Sequence, residues 1–221
     1  MIYSTLKTLV ANYLDREDLT SSVPNFVTSA QRKIERGDPI GIDRPIISKG
    51  DFKCMKAYAT GALTSGSAYL TLPARYKTTQ AFYVVSNSEY KLLNKKSLRA
   101  ALTMFPDLSN DKDTPSIFAT DDANSRFVLR ATPDSAYTYH LYYFNYLSEL
   151  SADGDTNWWT DNAWEMLLYG ALMQAEPFMR NDPRIETWAG MLEQSIQGLM
   201  RSELKEESGG GYSEPSSLYV V

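Results

Sequence analysis

Residues 153–175 read DGDTNWWTDNAWEMLLYGALMQA, and this stretch joins two different sequence patterns. It opens with oxygen-bearing side chains at alternate positions, as a calcium-binding loop does. These side chains are Asp153, Asp155 and Asn157. Trp158 and Trp159 follow, and a long apolar helical pattern begins directly after them. The stretch is therefore an ion site, an aromatic platform for a sugar, or a junction between two structural units.

The calcium interpretation fails at two positions of the loop. An EF-hand loop needs glycine at its sixth position and glutamate at its twelfth. These positions hold Trp158 and Trp164, so both the turn and the bidentate ligand are missing. The acidic side chains are instead expected to cap backbone N–H groups of a polar loop. We interpret Asn157, Trp158 and Trp159 as the domain junction, with the tryptophans fixing the angle between two units.

The segment 151–206 predicts two helices. Asn162 and Glu165 have the spacing of a capping box at the first helix start. Its apolar stripe consists of Trp164, Leu167, Leu168, Ala171, Leu172, Ala175, Phe178 and Met179. Pro177 is expected to bend or end it, and Asp182-Pro183 to begin the next helix. The apolar face of this next helix consists of Ile185, Trp188, Ala189, Leu192, Ile196, Leu199 and Met200.

The segment 1–45 predicts two further amphipathic helices. Leu6, Leu9, Val10 and Tyr13 form one face of the first helix. Ser22 is expected to cap the second helix, and Gly37 to end it. Each apolar face has to be buried against another element.

The segment 46–150 has the alternating pattern of β-strands. The strand-like runs are SAYLTLP (67–73), TTQAFYVVS (78–86), YKLLN (90–94), SIFAT (116–120), RFVLRA (126–131) and YTYHLYYFNYL (137–147). A short helix is expected at about Ser97 to Met104. The prediction is an α+β fold: an antiparallel bundle of about four helices with an inserted, small, mostly antiparallel β domain of five or six strands.

The segment 207–221 is predicted to be a flexible docking tail. It contains three consecutive glycines and then a polar stretch with an apolar end. Such an arm commonly docks on a partner by strand addition or in a groove. The docking residues we assign are Tyr212, Pro215, Leu218, Tyr219, Val220 and Val221. A tail without a role is the alternative interpretation.

Composition and single residues do not indicate a nucleic-acid-binding, membrane-spanning or catalytic role. The net charge of −5 lacks the basic footprint of a nucleic-acid binder. No apolar run has the length of a membrane span, and the first residues lack the pattern of a signal peptide. His140 has no nucleophile motif nearby, and Cys54 is expected to be a buried, inert thiol. We expect no catalytic residue, no cofactor and no metal site.

One alternative function stays open at this point. Aromatic content of 12 % and scattered acids are compatible with a carbohydrate-binding or carbohydrate-active protein. However, Trp164 and Trp188 fall on helical stripes, where burial in a core is the usual role.

The order of these patterns resembles the head–tail adaptor (connector) proteins of tailed phages. The resemblance begins with TLKTLVANYLDREDLTSSVPNFVTSAQRKIER and continues through YLTLPARY. Its most recognisable part is TPSIFATDDANSRFVLRATPDSAYTYHLYYFNYLSELSADGDTNWW, and LLYGALMQAEPFMRNDPRIETW completes it. The turn ATPDSAY departs from the family, which often has a second proline there.

The resemblance implies a structural, non-enzymatic protein of the virion. It implies a ring, commonly of twelve subunits, that lies in the neck between the portal protein and the tail nozzle protein. Genome DNA would pass through the ring without specific binding, and no membrane would be contacted. The C-terminal tail would reach the portal, and the β domain would contact neighbours or the tail.

Overall fold

The computed structural model of the chain describes residues 1–107, 110–179 and 182–207. Over these residues the fold is mixed α+β, with helices toward both ends and antiparallel sheets between them. The chain divides into two units. Met1–Cys54 and Leu147–Val221 form the first, called here the helical unit, and Met55–Tyr146 forms the second, the β unit.

The helical unit contains five of the α-helices. They are α1 (Tyr3–Leu14), α2 (Val23–Arg36), α4 (Trp158–Asn162), α5 (Trp164–Gln174) and α6 (Arg184–Glu207). Helix α5 packs against α1, α2 and α6. Seven of its eleven residues are buried, because it has neighbours on several sides. Gly170 lets α2 approach closely, since a Cβ there would lie 3.1 Å from Cβ of Ala30.

The predicted helix faces are confirmed in most positions. In α6, Ile185, Trp188, Ala189, Leu192 and Ile196 are buried as expected. In α1, Leu6 and Val10 are buried, but Tyr13 is 45 % exposed and Leu14 occupies the core instead. In the stretch after α5, Phe178 is 52 % exposed, because α5 ends at Gln174 and a short 3₁₀ helix follows.

Two of the predicted caps are wrong and two are confirmed. Gly37 ends α2 in the left-handed conformation at φ +77°, and Asp182 Oδ1 accepts from the Arg184 N–H at the start of α6. Ser22 makes no side-chain cap, because a 3₁₀ helix over Glu17–Ser22 runs directly into α2. The capping box is formed by Asn157 and not by Asn162, because the chain turns helical at Trp158, one short helix earlier than predicted.

The β unit contains ten strands and one α-helix among its described residues. The strands are β1 (Lys56–Ala62), β2 (Tyr69–Thr71), β3 (Tyr76–Ser86), β4 (Glu89–Leu92), β5 (Asn94–Lys95), β6 (Lys112–Asp113), β7 (Ile117–Asp121), β8 (Arg126–Arg130), β9 (Thr132–Pro133) and β10 (Thr138–Asn145). The helix, α3, spans Leu98–Met104 and matches the predicted one. The strand number exceeds the predicted five or six, because β1 and several two-residue strands were not recognised.

Two four-stranded sheets build most of this unit. One sheet has the order β1-β10-β3-β4 and is antiparallel throughout. The other has the order β2-β8-β7-β5, with only the β5–β7 pair parallel, and β6 pairs with β9 separately. Phe82, Leu141 and Val84 of the first sheet share a buried core with Phe118, Phe127 and Leu129 of the second. The two sheets therefore cover one face of each other.

Strands β3 and β4 form a hairpin. Ser86 pairs with Glu89, so the loop has only two residues. Asn87 and Ser88 both have positive φ, 53° and 64°, as a two-residue hairpin loop of type I′ requires.

Among the described residues, no helix combines the length and the apolar character that crossing a membrane needs.

Candidate interaction surfaces

Asn157 and Trp159, two of the three residues predicted as the domain junction, belong to a buried polar cluster in the helical unit. Asn157 Oδ1 accepts from the Thr160 N–H at 3.1 Å, and Thr160 Oγ1 accepts from the Asn157 N–H at 2.9 Å. The Asn157 amide also donates to Gln31 Oε1 at 3.2 Å and to the Ser148 carbonyl at 2.8 Å. Asn157 therefore links α4 to α2 and to the segment that enters the helical unit.

Trp159 completes this cluster. Its side chain is fully buried, and its Nε1–H donates to Glu35 Oε1 at 2.8 Å. Its ring makes edge contacts with Phe52 and Trp158, with ring centroids 5.1 and 5.3 Å apart. These partners belong to the helical unit. That the tryptophans also fix the angle between the two units stays a prediction.

The acidic loop before α4 is held by its own side chains. Asp155 Oδ2 accepts from the N–H groups of Ser151 and Ala152 at 2.8 Å, which confirms the predicted capping role. These hydrogen bonds hold the Asp155 pKa below its usual value. Asp153 pairs with Lys7 of α1 at 2.6 Å. Within the described ranges, no group of three or more His, Cys, Asp or Glu side chains is placed to hold a metal ion.

Cys54 lies at the end of the first segment of the helical unit and is half-buried. Burial, followed by the nearby carboxylates of Glu203 and Glu35, raises its pKa to about 12. Because the thiolate is the reactive form, such a thiol is a poor nucleophile at neutral pH. The predicted inert character of Cys54 therefore has a physical cause.

We expect native Cys54 to react with iodoacetamide at pH 8 far more slowly than the unfolded chain. Its thiolate fraction is lower than that of an ordinary thiol of pKa 9.0 by a factor of about 1,000, because the pKa is raised to about 12. Mass spectrometry of samples quenched over time, with and without 8 M urea, measures both rates. Equal rates in the two samples would contradict the assigned environment.

The outer face of the β1-β10-β3-β4 sheet carries a cluster of exposed and half-buried aromatic side chains, called here the tyrosine face. It consists of Tyr58, Tyr83, Tyr90, His140 and Tyr142. Tyr58, Tyr90 and Tyr142 are 50 %, 65 % and 43 % exposed. A surface pocket at this face is lined by Gln80, Ala81 and three of the tyrosines.

Strand pairing explains why these rings meet. Tyr58 of β1 lies opposite Tyr142 of β10, and His140 lies opposite Tyr83 of β3. Alternate residues of these strands, such as Leu141 and Phe82, point into the core, so the rings share the other face. The Tyr58 hydroxyl and His140 Nδ1 are hydrogen-bonded at 2.5 Å, which holds two strands' side chains together.

The helical unit presents a second exposed apolar feature, a loop over residues 40–47 called here the isoleucine loop. Ile40 and Ile46 exchange two backbone hydrogen bonds of 2.9 and 2.8 Å and are both buried. Ile42 and Ile47 are 65 % and 61 % exposed. The loop therefore holds two of its isoleucines in the core and leaves two exposed.

Charged side chains fix the shape of the isoleucine loop. The buried carboxylate of Glu176 accepts from the N–H groups of Ile42 and Asp43, at 2.7 and 3.1 Å. Arg44 pairs with Glu193 at 2.7 Å and with Glu186 at 3.4 Å, both on α6. The loop is therefore held by three glutamates of the helical unit: Glu176, which precedes α6, and Glu186 and Glu193, which lie on α6.

The docking residues predicted from the sequence belong neither to the tyrosine face nor to the isoleucine loop. Tyr212, Pro215, Leu218, Tyr219, Val220 and Val221 lie outside the described residues, so the docking tail stays a prediction. Neither the tyrosine face nor the isoleucine loop was predicted. The alternation in the run 137–147 was a usable signal for the first, since it separates Tyr142 and His140 from Leu141.

Comparison with known proteins adds one family. A family model described as SU10 adaptor protein matches residues 1–213 of the chain. No curated protein matches it. The match covers both units and almost the whole sequence.

Proposed function

Because the chain belongs to the SU10 adaptor protein family of phages, we propose that it is a head–tail adaptor that forms a ring between the portal protein and the tail nozzle protein. Family membership makes the protein a structural component of the phage virion. The match over residues 1–213 is the observation that carries the proposal, because it spans the helical unit and the β unit together.

The proposed ring has about twelve subunits and continues the channel through which the genome passes. Its acidic character supports a passive channel. Twelve copies at −5 each carry about −60, and a bore of that sign repels phosphates so that DNA slides without binding. Acids confined to the outer rim of the ring would contradict this part of the proposal.

We assign roles to segments as follows. Helices α1, α2, α5 and α6 pack as an antiparallel bundle, and the β domain inserted between α2 and α4 contacts neighbours or the tail. The arm from about Gly209 to Val221 docks on the portal, with Leu218, Tyr219 and Val220 at its apolar end. Asn157, Trp158 and Trp159 set the angle between the two units.

Assembly on the portal tests the function directly. We expect the chain, mixed with the portal protein encoded in the same phage genome, to form a complex whose mass corresponds to about twelve added subunits. Native mass spectrometry of the mixture and of each component alone gives this number. An isolated monomer is compatible with the proposal, because adaptors of this type often stay monomeric until they meet the portal.

A truncated chain separates tail docking from folding. Removal of residues 209–221 should abolish portal binding while circular dichroism of the free chain stays unchanged. Failure of the full chain to bind the portal, together with measurable glycan binding or hydrolysis, would instead favour a carbohydrate-binding or carbohydrate-active tail component.

A further inference from the structure

The tyrosine face has the chemistry of a protein-binding surface. Its rings meet at varied angles: Tyr83 stands at 86° to both Tyr90 and Tyr142, Tyr58 stands at 45° to Tyr142, and Tyr58 stacks on His140 at 26°. Exposed tyrosines around a shallow pocket are typical of the energetic centre of a protein interface.

The charges around this face select the partner. The outward positions of the four strands hold Lys56 and His140 and, within the described residues, no carboxylate. The β unit has ten Lys and Arg against seven Asp and Glu, a net charge of +3. The helical unit has twelve against twenty, a net charge of −8. A β unit is therefore electrostatically complementary to the helical unit of another copy.

The isoleucine loop is the feature of the helical unit that fits such a face. It offers two exposed isoleucines, and Asp43 directly follows Ile42 in the sequence. Glu176 and Arg44 hold the loop in one shape, so little conformational entropy is lost when it binds. The exposed side chains of Ile42 and Ile47 suit an aromatic face, and the carboxylate of Asp43 has the opposite charge to Lys56 of that face.

We propose that the tyrosine face of one copy binds the isoleucine loop of a second copy, in a head-to-tail contact. Two different surfaces then meet, so each copy keeps one free surface of either kind and further copies add until a ring closes. The inference rests on the proposed ring and names the surfaces that build it.

Cysteine cross-linking in the full chain tests this contact. Tyr90→Cys and Ile42→Cys place a thiol on each surface, and native Cys54 contributes little because its pKa is about 12. The variants are assembled on the portal of the same phage and treated with a bis-maleimide of short reach. Glu17→Cys, at an exposed site elsewhere on the helical unit, replaces Ile42→Cys in a matched control.

The mixture of Tyr90→Cys and Ile42→Cys chains should give covalent dimers at least about tenfold above either variant alone, because only apposed thiols have a high effective concentration. A chain with both substitutions should give a ladder of covalent oligomers. Tyr90→Cys mixed with Glu17→Cys should stay at the level of the wild-type chain.

Two negative results have different meanings. A doubly substituted chain that assembles on the portal but remains uncross-linked overturns the assigned contact and leaves the proposed ring intact. Wild-type chain that never associates with itself or with the portal overturns both, because no contact between copies then exists. Dimers from Tyr90→Cys alone would also overturn the head-to-tail arrangement, since they require two tyrosine faces to meet.

Discussion

Replacing Trp159 with alanine is expected to lower the free energy of unfolding by about 3–5 kcal/mol. The side chain is fully buried, so its removal leaves a cavity beside Phe52 and Trp158. It also removes the hydrogen bond of 2.8 Å that the indole donates to the carboxylate of Glu35, which is itself 2 % exposed. Urea unfolding followed by circular dichroism measures the loss.

Two matched variants separate packing from hydrogen bonding at this position. Trp159→Phe keeps most of the ring contacts and removes the donor, so we expect a loss of about 1–3 kcal/mol. Trp158→Ala should lower the melting temperature less than Trp159→Ala, because Trp158 is only partly buried. If Trp158→Ala lowers the melting temperature as much as Trp159→Ala does, the burial of the Trp159 ring is not what stabilises the cluster.

Helical periodicity carried the parts of the fold that the sequence predicted well. The stripe of α6 from Ile185 to Ile196 and the stop at Gly37 depend on local spacing and on backbone conformation. Both are properties of a few neighbouring residues. They therefore survive in the structure whatever the rest of the chain does.

Competing local signals explain the misassigned cap. Asn162 and Glu165 have the required spacing, and so do Asn157 and Thr160. The structure uses the second pair, because Asn157 can also donate to Gln31 and to the Ser148 carbonyl. Those partners lie at least nine positions away, and spacing alone does not identify them.

Strand β1 was missed because its sequence is weak by itself. KAYATGA contains three alanines and a glycine, residues with low strand propensity. It becomes a strand by pairing with β10 from Lys56 opposite Phe144 to Ala62 opposite Thr138. Since Tyr58 belongs to this strand, the tyrosine face could not be assembled from the sequence. The isoleucine loop was missed similarly, because its shape depends on Glu176 more than 130 positions away.

The second large effect is expected at Gly50. This glycine has φ +74°, and a Cβ there would lie 2.7 Å from the Arg36 carbonyl oxygen and 2.8 Å from the Gly37 nitrogen. An L-residue in this conformation costs about 1–2 kcal/mol. The contacts are to backbone atoms at the end of α2, which cannot rotate away, so overpacking adds about 1–3 kcal/mol. Gly50→Ala should therefore lower the free energy of unfolding of the helical unit by about 2–5 kcal/mol, the sum of the two contributions.

Gly66 provides the control for backbone strain alone. Its φ is +77°, but a Cβ there would have no described atom within 4 Å. Gly66→Ala should then lower the free energy of unfolding only by the cost of an L-residue at positive φ, about 1–2 kcal/mol. Urea unfolding by circular dichroism compares both variants with the wild-type chain. Equal losses would mean that the segment around Gly50 moves away from α2 at little cost, and a loop that moves so easily could not hold Ile47 in a fixed position for a partner.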